Sequence, residues 1–427
     1  MTNELKDRVS KIRSSEVPNG YKKTVCGIIP DEWNICKFKQ KFTRLKNKNC
    51  EGNSNILTIS AQYGLINQEE FFKKEVASDD KSNYYLLNKG DFAYNKSYSN
   101  GYPYGAIKPL TRYEKGIVSP LYICFSPADD SFCTDYYTHY FEFGLLNKEI
   151  HAIAQEGARN HGLLNVSVDD FFNTNILCPP LPEQQKIAEI LSTQDKVIDL
   201  IQNQIEELKK LKKAYLQKMF PQKGSLFPEI RFKGFTDAWE QRELSELIIE
   251  YKETVDSECD LPVLTSSKTE GVVFQEEHFG RKQQHDITGY NILPRGYCTY
   301  RNRSDGVDFT FNINKCCDKG IISKFYPVFY GNNSDVFFIS LVLNHSEEVV
   351  HEIGYTCTGT GQKVLSFLDL QKMHITVPSY DEQKKIASYF EQLDTLITLH
   401  QRKLEQEQQK KKALMQLLLT GIVRVKV

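Results

Sequence analysis

The sequence predicts an α+β protein: two pseudo-repeated mixed α/β domains, separated by two long helices that pair with each other as a coiled coil. Three observations predict it. The sequence is written twice, each globular half alternates short β-branched or aromatic runs with turn residues, and each half ends in a sustained heptad pattern. A chain of 427 residues, 40% of them hydrophobic, also exceeds what one ordinary core accommodates. The expected segments are an N-terminal extension over 1–20, globular domains over 21–182 and 222–380, and helices over 183–221 and 381–427.

The repeat is explicit. Glu183-Gln184-Gln185-Lys186-Ile187-Ala188 returns as Glu382-Gln383-Lys384-Lys385-Ile386-Ala387, an offset of 199 residues (382 minus 183). At that offset Asp195 meets Asp394, Glu206 meets Glu405, and Lys212-Lys213-Ala214 meets Lys411-Lys412-Ala413. The globular parts match too. Asp31-Glu32-Trp33 parallels Asp237-Ala238-Trp239, which hold the only two tryptophans. Gly64 parallels Gly271, and Tyr84, Leu87, Gly90 and Tyr94 parallel Tyr290, Leu293, Gly296 and Tyr300. The offset drifts from 207 (271 minus 64) to 199, as small changes in loop length require.

Within each half, runs such as Ile56 to Ser60, Gly116 to Phe125 and Gly320 to Tyr330 read as strands between Gly, Asn and Asp turns. Gly90-Asp91 and Arg295-Gly296 read as tight turns ahead of a strand. From Glu183 onward a 4-3 spacing selects Ile187, Leu191, Gln194, Ile198, Ile201, Ile205, Leu208, Lys212, Tyr215 and Met219. Pro182 stands before this helix and Pro221 stops it. The second copy selects Ile386, Phe390, Leu393, Ile397, His400, Leu404, Glu407, Lys411, Leu414 and Leu418, with Gly421 as C-cap. Its seam is more polar, and Leu396 and Leu399 are expected to widen it. About 38 helical residues span ~57 Å, too long to bury an apolar stripe against one small domain. Pairing the helices solves this; a dimerisation stalk is the alternative.

Composition bounds the function. Mean hydropathy of -0.47 and 26% charged residues describe a polar chain with a real interior. No apolar run reaches the roughly 18 to 20 residues of a membrane helix, and Met1 to Lys11 has no apolar h-region. Eleven cysteines without Cys-x-x-Cys spacing fit a reducing cytoplasm, and adjacent Cys316 and Cys317 do not make a metal site. A net charge of -1 neither favours nor excludes nucleic acid, because binding depends on local clustering.

Catalytic patterns are missing. Cys178-Pro179-Pro180-Leu181 lacks the amide or carboxylate and the aromatic of an adenine methyltransferase tetrapeptide. Gly359-Thr360-Gly361 lacks a strand–helix setting, and there is neither a phosphate-binding Gly-x-x-x-x-Gly-Lys-Ser/Thr nor a His-Glu-x-x-His. Glu382-x-Lys384 belongs to a helix start. The expectation is a chain with no catalytic, metal or cofactor site.

Two similar domains on rigid helices form a ruler, a geometry that suits reading two DNA half-sites. Diverged halves would read an asymmetric, bipartite target. In the first half, the loop after a matched strand offers Tyr94, Asn95, Lys96, Ser97, Tyr98 and Tyr102; in the second, Tyr300, Arg301, Asn302 and Arg303 take its place. Arg suits guanine edges, Asn suits adenine edges, and Lys and Ser suit phosphates. Arg159-Asn160-His161 and Gln362-Lys363 lie in Gly-containing turns that could hold phosphates, though plain loops fit as well. Gln62, Tyr63, Ser267, Lys268, Arg281 and Lys282 complete the candidate DNA contacts. The Lys209-Lys210-Lys212-Lys213 run fits a solvated helix face.

Leu181-Pro182-Glu183-Gln184-Gln185-Lys186-Ile187-Ala188 and its second copy, with Phe235-Thr236-Asp237-Ala238-Trp239-Glu240, Gly90-Asp91-Phe92 and Val166-Ser167-Val168-Asp169-Asp170-Phe171, resemble the specificity subunits of Type I restriction–modification systems. The resemblance runs from about Thr24 onward. It implies that each globular half is a target-recognition domain entering the major groove, and that the helices are antiparallel spacers docking two modification (methyltransferase) subunits. It implies that those partners carry S-adenosylmethionine, that restriction/translocase subunits carry ATP and Mg, and that this chain carries none of them. Residues 1–20 precede the family's usual start, and Val377-Pro378-Ser379-Tyr380-Asp381 replaces the proline-rich Pro179 to Pro182. A specificity subunit of a methylation-only complex fits equally. A coiled-coil scaffold would instead show no salt-dependent DNA binding.

Overall fold

The structure is a computed structural model that describes residues 3–60, 63–72, 81–99, 101–129, 132–154, 164–222, 224–256, 259–281, 286–306, 308–357 and 362–425. It divides into two units, each discontinuous or bounded inside a helix: 1–202 with 403–427, and 203–402. Both long helices, Leu181–Lys218 and Tyr380–Leu419, therefore contribute to both units.

In the first unit, a four-stranded antiparallel sheet has the order Phe42–Arg44, Ile123–Pro127, Phe92–Asn95, Ala106–Pro109. Its inner face is aromatic. Phe38, Phe42, Phe92, Phe125 and Phe171 are fully buried, and Phe92 stacks on Phe125 at 5.3 Å with planes 3° apart. Desolvating such large rings is the main stabilising term of this core. The other face carries the hairpin Leu57–Ser60/Gly64–Asn67 and the pair Tyr85–Asn88/Lys115–Val118, packed through Leu57, Leu65, Leu87 and Val118.

The second unit repeats this order strand for strand: Ile248–Glu250, Val328–Gly331, Cys298–Thr299, Asn312–Ile313. Its hairpin is Leu264–Ser267/Gly271–Phe274, and its outer pair is Asn291–Pro294/Lys319–Ile322. A matched glycine allows each hairpin to sit close. A Cβ at Gly116 would lie 2.3 Å from Leu57 Cδ1, and one at Gly320 would lie 2.5 Å from Leu264 Cδ1.

The helices pair antiparallel within each unit. In the first, Ile187 and Leu191 join Met415, Leu418 and Leu419 in one core. In the second, Leu208, Tyr215 and Met219 join Ile386, Phe390 and Leu393. The two polar seam positions expected in the first helix are used: Gln194 Nε2 donates to Glu407 Oε2 at 2.6 Å, and Lys212 Nζ pairs with Asp394 at 2.5 Å. Leu396 and Leu399 do not widen the second seam. They are 42% and 53% exposed, because Leu393 and Ile397 already fill the buried side. The first helix also starts at Leu181, so Pro182 lies in its first turn, where its missing N–H is not needed.

Each helix start is locked by a buried glutamate. Glu183 accepts Trp33 Nε1 at 2.8 Å and Arg424 at 2.6 and 2.9 Å; Glu382 accepts Arg231 Nε and Nη2 at 2.7 Å each. Arg231 stands in Ile230-Arg231-Phe232-Lys233 after the first helix, and Arg424 in Val423-Arg424-Val425-Lys426 after the second, so the repeat continues into these segments. Within the 1–20 extension Asn3–Arg13 form a helix, whose Arg8 donates to Tyr21 Oη at 3.4 Å and to the Ile422 carbonyl at 3.3 Å.

Candidate nucleic-acid interface

In each unit, the tip of the hairpin and the loop leaving the central strand enclose one shallow cavity. In the first unit it has about 380 Å³ and is lined by Ser60, Tyr63, Phe71, Asn95, Ser97 and Tyr98, among others. Tyr63 and Tyr98 are 51% and 63% exposed, so two aromatic rings stand in solvent beside an amide and hydroxyls. Asn95 Oδ1 accepts the Ser97 amide at 3.0 Å and turns the chain at the strand end.

In the second unit the corresponding cavity has about 440 Å³ and is cationic and acidic: Lys268, Arg301, Arg303, Asp305 and Asp308 line it with Phe309. Lys268 pairs with Asp308 and holds that carboxyl below its ordinary range, while Ser304 Oγ donates to the same carboxylate at 3.0 Å. Among the described residues, Arg301 and Arg303 make no ion pair, and the Arg303 guanidinium lies 4.4 Å over the Phe325 ring. A short ladder, Arg303 with Val364 and Ser304 with Lys363, ties this loop to the turn that carries Gln362, which is exposed.

Several expected contacts lie elsewhere. Tyr94 and Tyr300 are fully buried. Tyr94 Oη donates to the Tyr104 carbonyl at 2.7 Å and its ring stacks on Phe171; Tyr300 Oη donates to the Leu365 carbonyl at 3.1 Å. They anchor the loop bases from inside and do not face a ligand. Asn302 is also turned inward: its Oδ1 is enclosed without a hydrogen-bond partner among the described residues. Tyr102 is half-buried on Lys108 and Glu142, and burial with Glu142 pushes its phenol well up. The Ser267 hydroxyl closes the hairpin turn on the amides of Thr269 and Glu270. Lys96 is half-buried beside Asn95, and Arg281 is exposed after the short helix Gln275–Phe279. Gln62, Arg159, Asn160, His161 and Lys282 lie outside the described residues.

Phe71 and Asp308, which line the cavities, and Phe325, which lies under Arg303, were invisible in the sequence. Phe325 falls inside the run Gly320 to Tyr330, which reads as one strand, whereas the structure breaks it after Ile322 into a turn. Among the described residues, no group of three or more His, Cys, Asp or Glu is placed to hold a metal ion.

Comparison with known proteins agrees with this architecture. Residues 32–210 and 237–408 each match the family described as Type I restriction modification DNA specificity domain. The chain is 25% identical over 433 residues to the putative type I restriction enzyme MjaX specificity subunit of Methanocaldococcus jannaschii, covering 95% of this chain and 97% of that one. It is 27% identical over 304 residues to the type I restriction enzyme MjaVIII specificity subunit of the same organism, covering 67% and 70%. The crystal structure of a Type-I restriction-modification system S subunit from M. genitalium superposes with a TM-score of 0.52 at 13% identity, over 96% of this chain and 99% of that one, and so shares its fold.

Proposed function

From the premise that the chain belongs to the Type I restriction modification DNA specificity family, matched in both of its halves, we propose that it reads a bipartite, asymmetric DNA site with one domain per half-site. It is a sequence-specific DNA-recognition subunit and has no catalytic role of its own. The observation that carries the finer reading is the pair of cavities. They occupy the same place in two repeated folds, yet one is aromatic and amide-lined and the other charged. One scaffold with two chemistries suits two different half-sites.

In this reading Tyr63, Asn95, Ser97 and Tyr98 face the first half-site, and Lys268, Arg301, Arg303 and Lys363 face the second. Lys96, Arg281 and Gln362 flank them as phosphate contacts. The long helices dock two methyltransferase subunits. Val197 and Leu200 in the first unit, and Leu396 and Leu399 at the repeated positions of the second, are 37% to 59% exposed and suit that role. S-adenosylmethionine would belong to those partners, and ATP and Mg to a restriction/translocase subunit, all in the cytoplasm where the DNA lies.

The test is a single-molecule methylome of cells producing this chain with the modification subunit of the same genome. The expected result is a new two-part motif with adenine methylated in both halves, absent without this chain. Absence of any motif, with the partner expressed and bound, rejects the reading in favour of a scaffold.

A further inference from the structure

We propose that Arg303, held over the ring of Phe325, reads a guanine in the half-site of the second domain. The inference rests on the DNA-reading function and names the base chemistry of one of its two cavities.

An exposed arginine normally samples many rotamers, and fixing it costs conformational entropy on binding. Here the guanidinium already lies 4.4 Å over an aromatic face, and the strand pairing of Arg303 with Val364 fixes its backbone. The ring covers one side of the fork and leaves the N–H groups turned away from it for a ligand. A planar pair of donors matches the O6 and N7 acceptors of guanine in the major groove, the one base edge with two adjacent acceptors.

A phosphate would also accept from arginine, so the neighbours decide between them. Asp305 lines the same cavity and makes no ion pair among the described residues, whereas Asp308 there is paired with Lys268. Carboxylates repel a phosphate, whereas the cytosine paired with guanine presents an amino group that a carboxylate accepts. Arginine beside aspartate therefore complements a G·C pair better than it complements the backbone. Lys324, 5.9 Å from the same ring, is the nearer match to a phosphate. Among the described residues the first-domain cavity has no lining cation, so its half-site is read by other chemistry.

The experiment uses the full chain with its modification subunits. Binding is measured on the wild-type motif and on duplexes in which each guanine of the second half-site is replaced by 7-deazaguanine. One position should weaken wild-type binding about 5- to 150-fold. Arg303→Lys, which keeps the stem and the charge, should lose that discrimination, and methylomes should show degeneracy at that position alone. A phosphate role predicts the opposite: Arg303→Lys keeps the motif and every 7-deaza sensitivity. That result, or unchanged discrimination in Arg303→Ala with the first half-site still read, overturns the inference and leaves the DNA-reading function standing. A wild-type protein with no motif overturns both.

Discussion

Lys411 and Asp195 join the two long helices in the first unit, Nζ to Oδ1 at 2.5 Å, and their repeat equivalents Lys212 and Asp394 join them at the same distance in the second. A histidine lies beside each bridge, buried at His139 and exposed at His345. His139 Nδ1 is 3.8 Å from Asp195 and its Nε2 is 3.2 Å from Ser192 Oγ, while His345 faces Lys212 and Asp394.

Burial holds the His139 imidazole below the ordinary 6.5, so it is neutral in the folded protein near neutral pH. The unfolded chain takes up this proton first on acidification. Its contribution to stability is present above about 6.5 and is lost as pH falls toward the lowered value. Thermal unfolding should therefore occur at lower temperature at pH 5.5 than at 7.5, and His139→Asn should flatten part of that slope. An unchanged slope contradicts the assignment.

The two glutamate locks should differ in strength. Removing one partner of a buried pair costs about 3 to 5 kcal/mol when the other charge stays unpaired. Arg231→Ala leaves Glu382 without its bidentate partner, whereas Arg424→Ala leaves Glu183 with the Trp33 N–H. Urea denaturation should show the larger loss for Arg231→Ala.

Two tyrosines of the first-half loop should separate by burial. Tyr94→Phe removes an inward hydrogen bond and should cost about 1 kcal/mol of stability with an unchanged DNA motif. Tyr98→Ala should leave stability within about 0.5 kcal/mol and weaken binding to the first half-site by gel shift.

Leu200→Glu and Leu399→Glu, both at exposed helix positions, should keep the circular dichroism spectrum and melting temperature of the chain. Co-purification with a methyltransferase subunit should fall sharply. Full retention would move the docking surface elsewhere.

Gly421→Ala should destabilise by about 1 to 3 kcal/mol. Its φ is +72°, and a Cβ there would meet Pro30 Cδ at 2.5 Å. Chemical denaturation measures it.

Periodicity and repetition made the architecture legible. Ile187, Leu191, Ile386 and Phe390 are buried where the heptads place them, because a long helix has one way to hide a stripe. The sites were less legible, because direction at a strand end depends on what packs behind it. Tyr94 and Tyr300 look like loop aromatics in the sequence, yet Phe171 and Phe311 draw them inward. Their identity in both halves was the available signal: a position that stays the same while its neighbours diverge belongs to the shared core. Phe325 could not be found, since its place over Arg303 joins residues from two separate turns.

The core that joins Ile187 and Leu191 to Met415, Leu418 and Leu419 also orders events on the ribosome. The first unit needs 403–427, which are synthesised only after all of 203–402. At roughly 5 to 20 residues per second, that interval is on the order of 10 to 40 s. During it, the apolar stripe at the start of the first long helix has no mate, while the second unit already has every residue it requires. The half made first is thus completed last, and any chaperone or partner that shelters the nascent chain has that window in which to act.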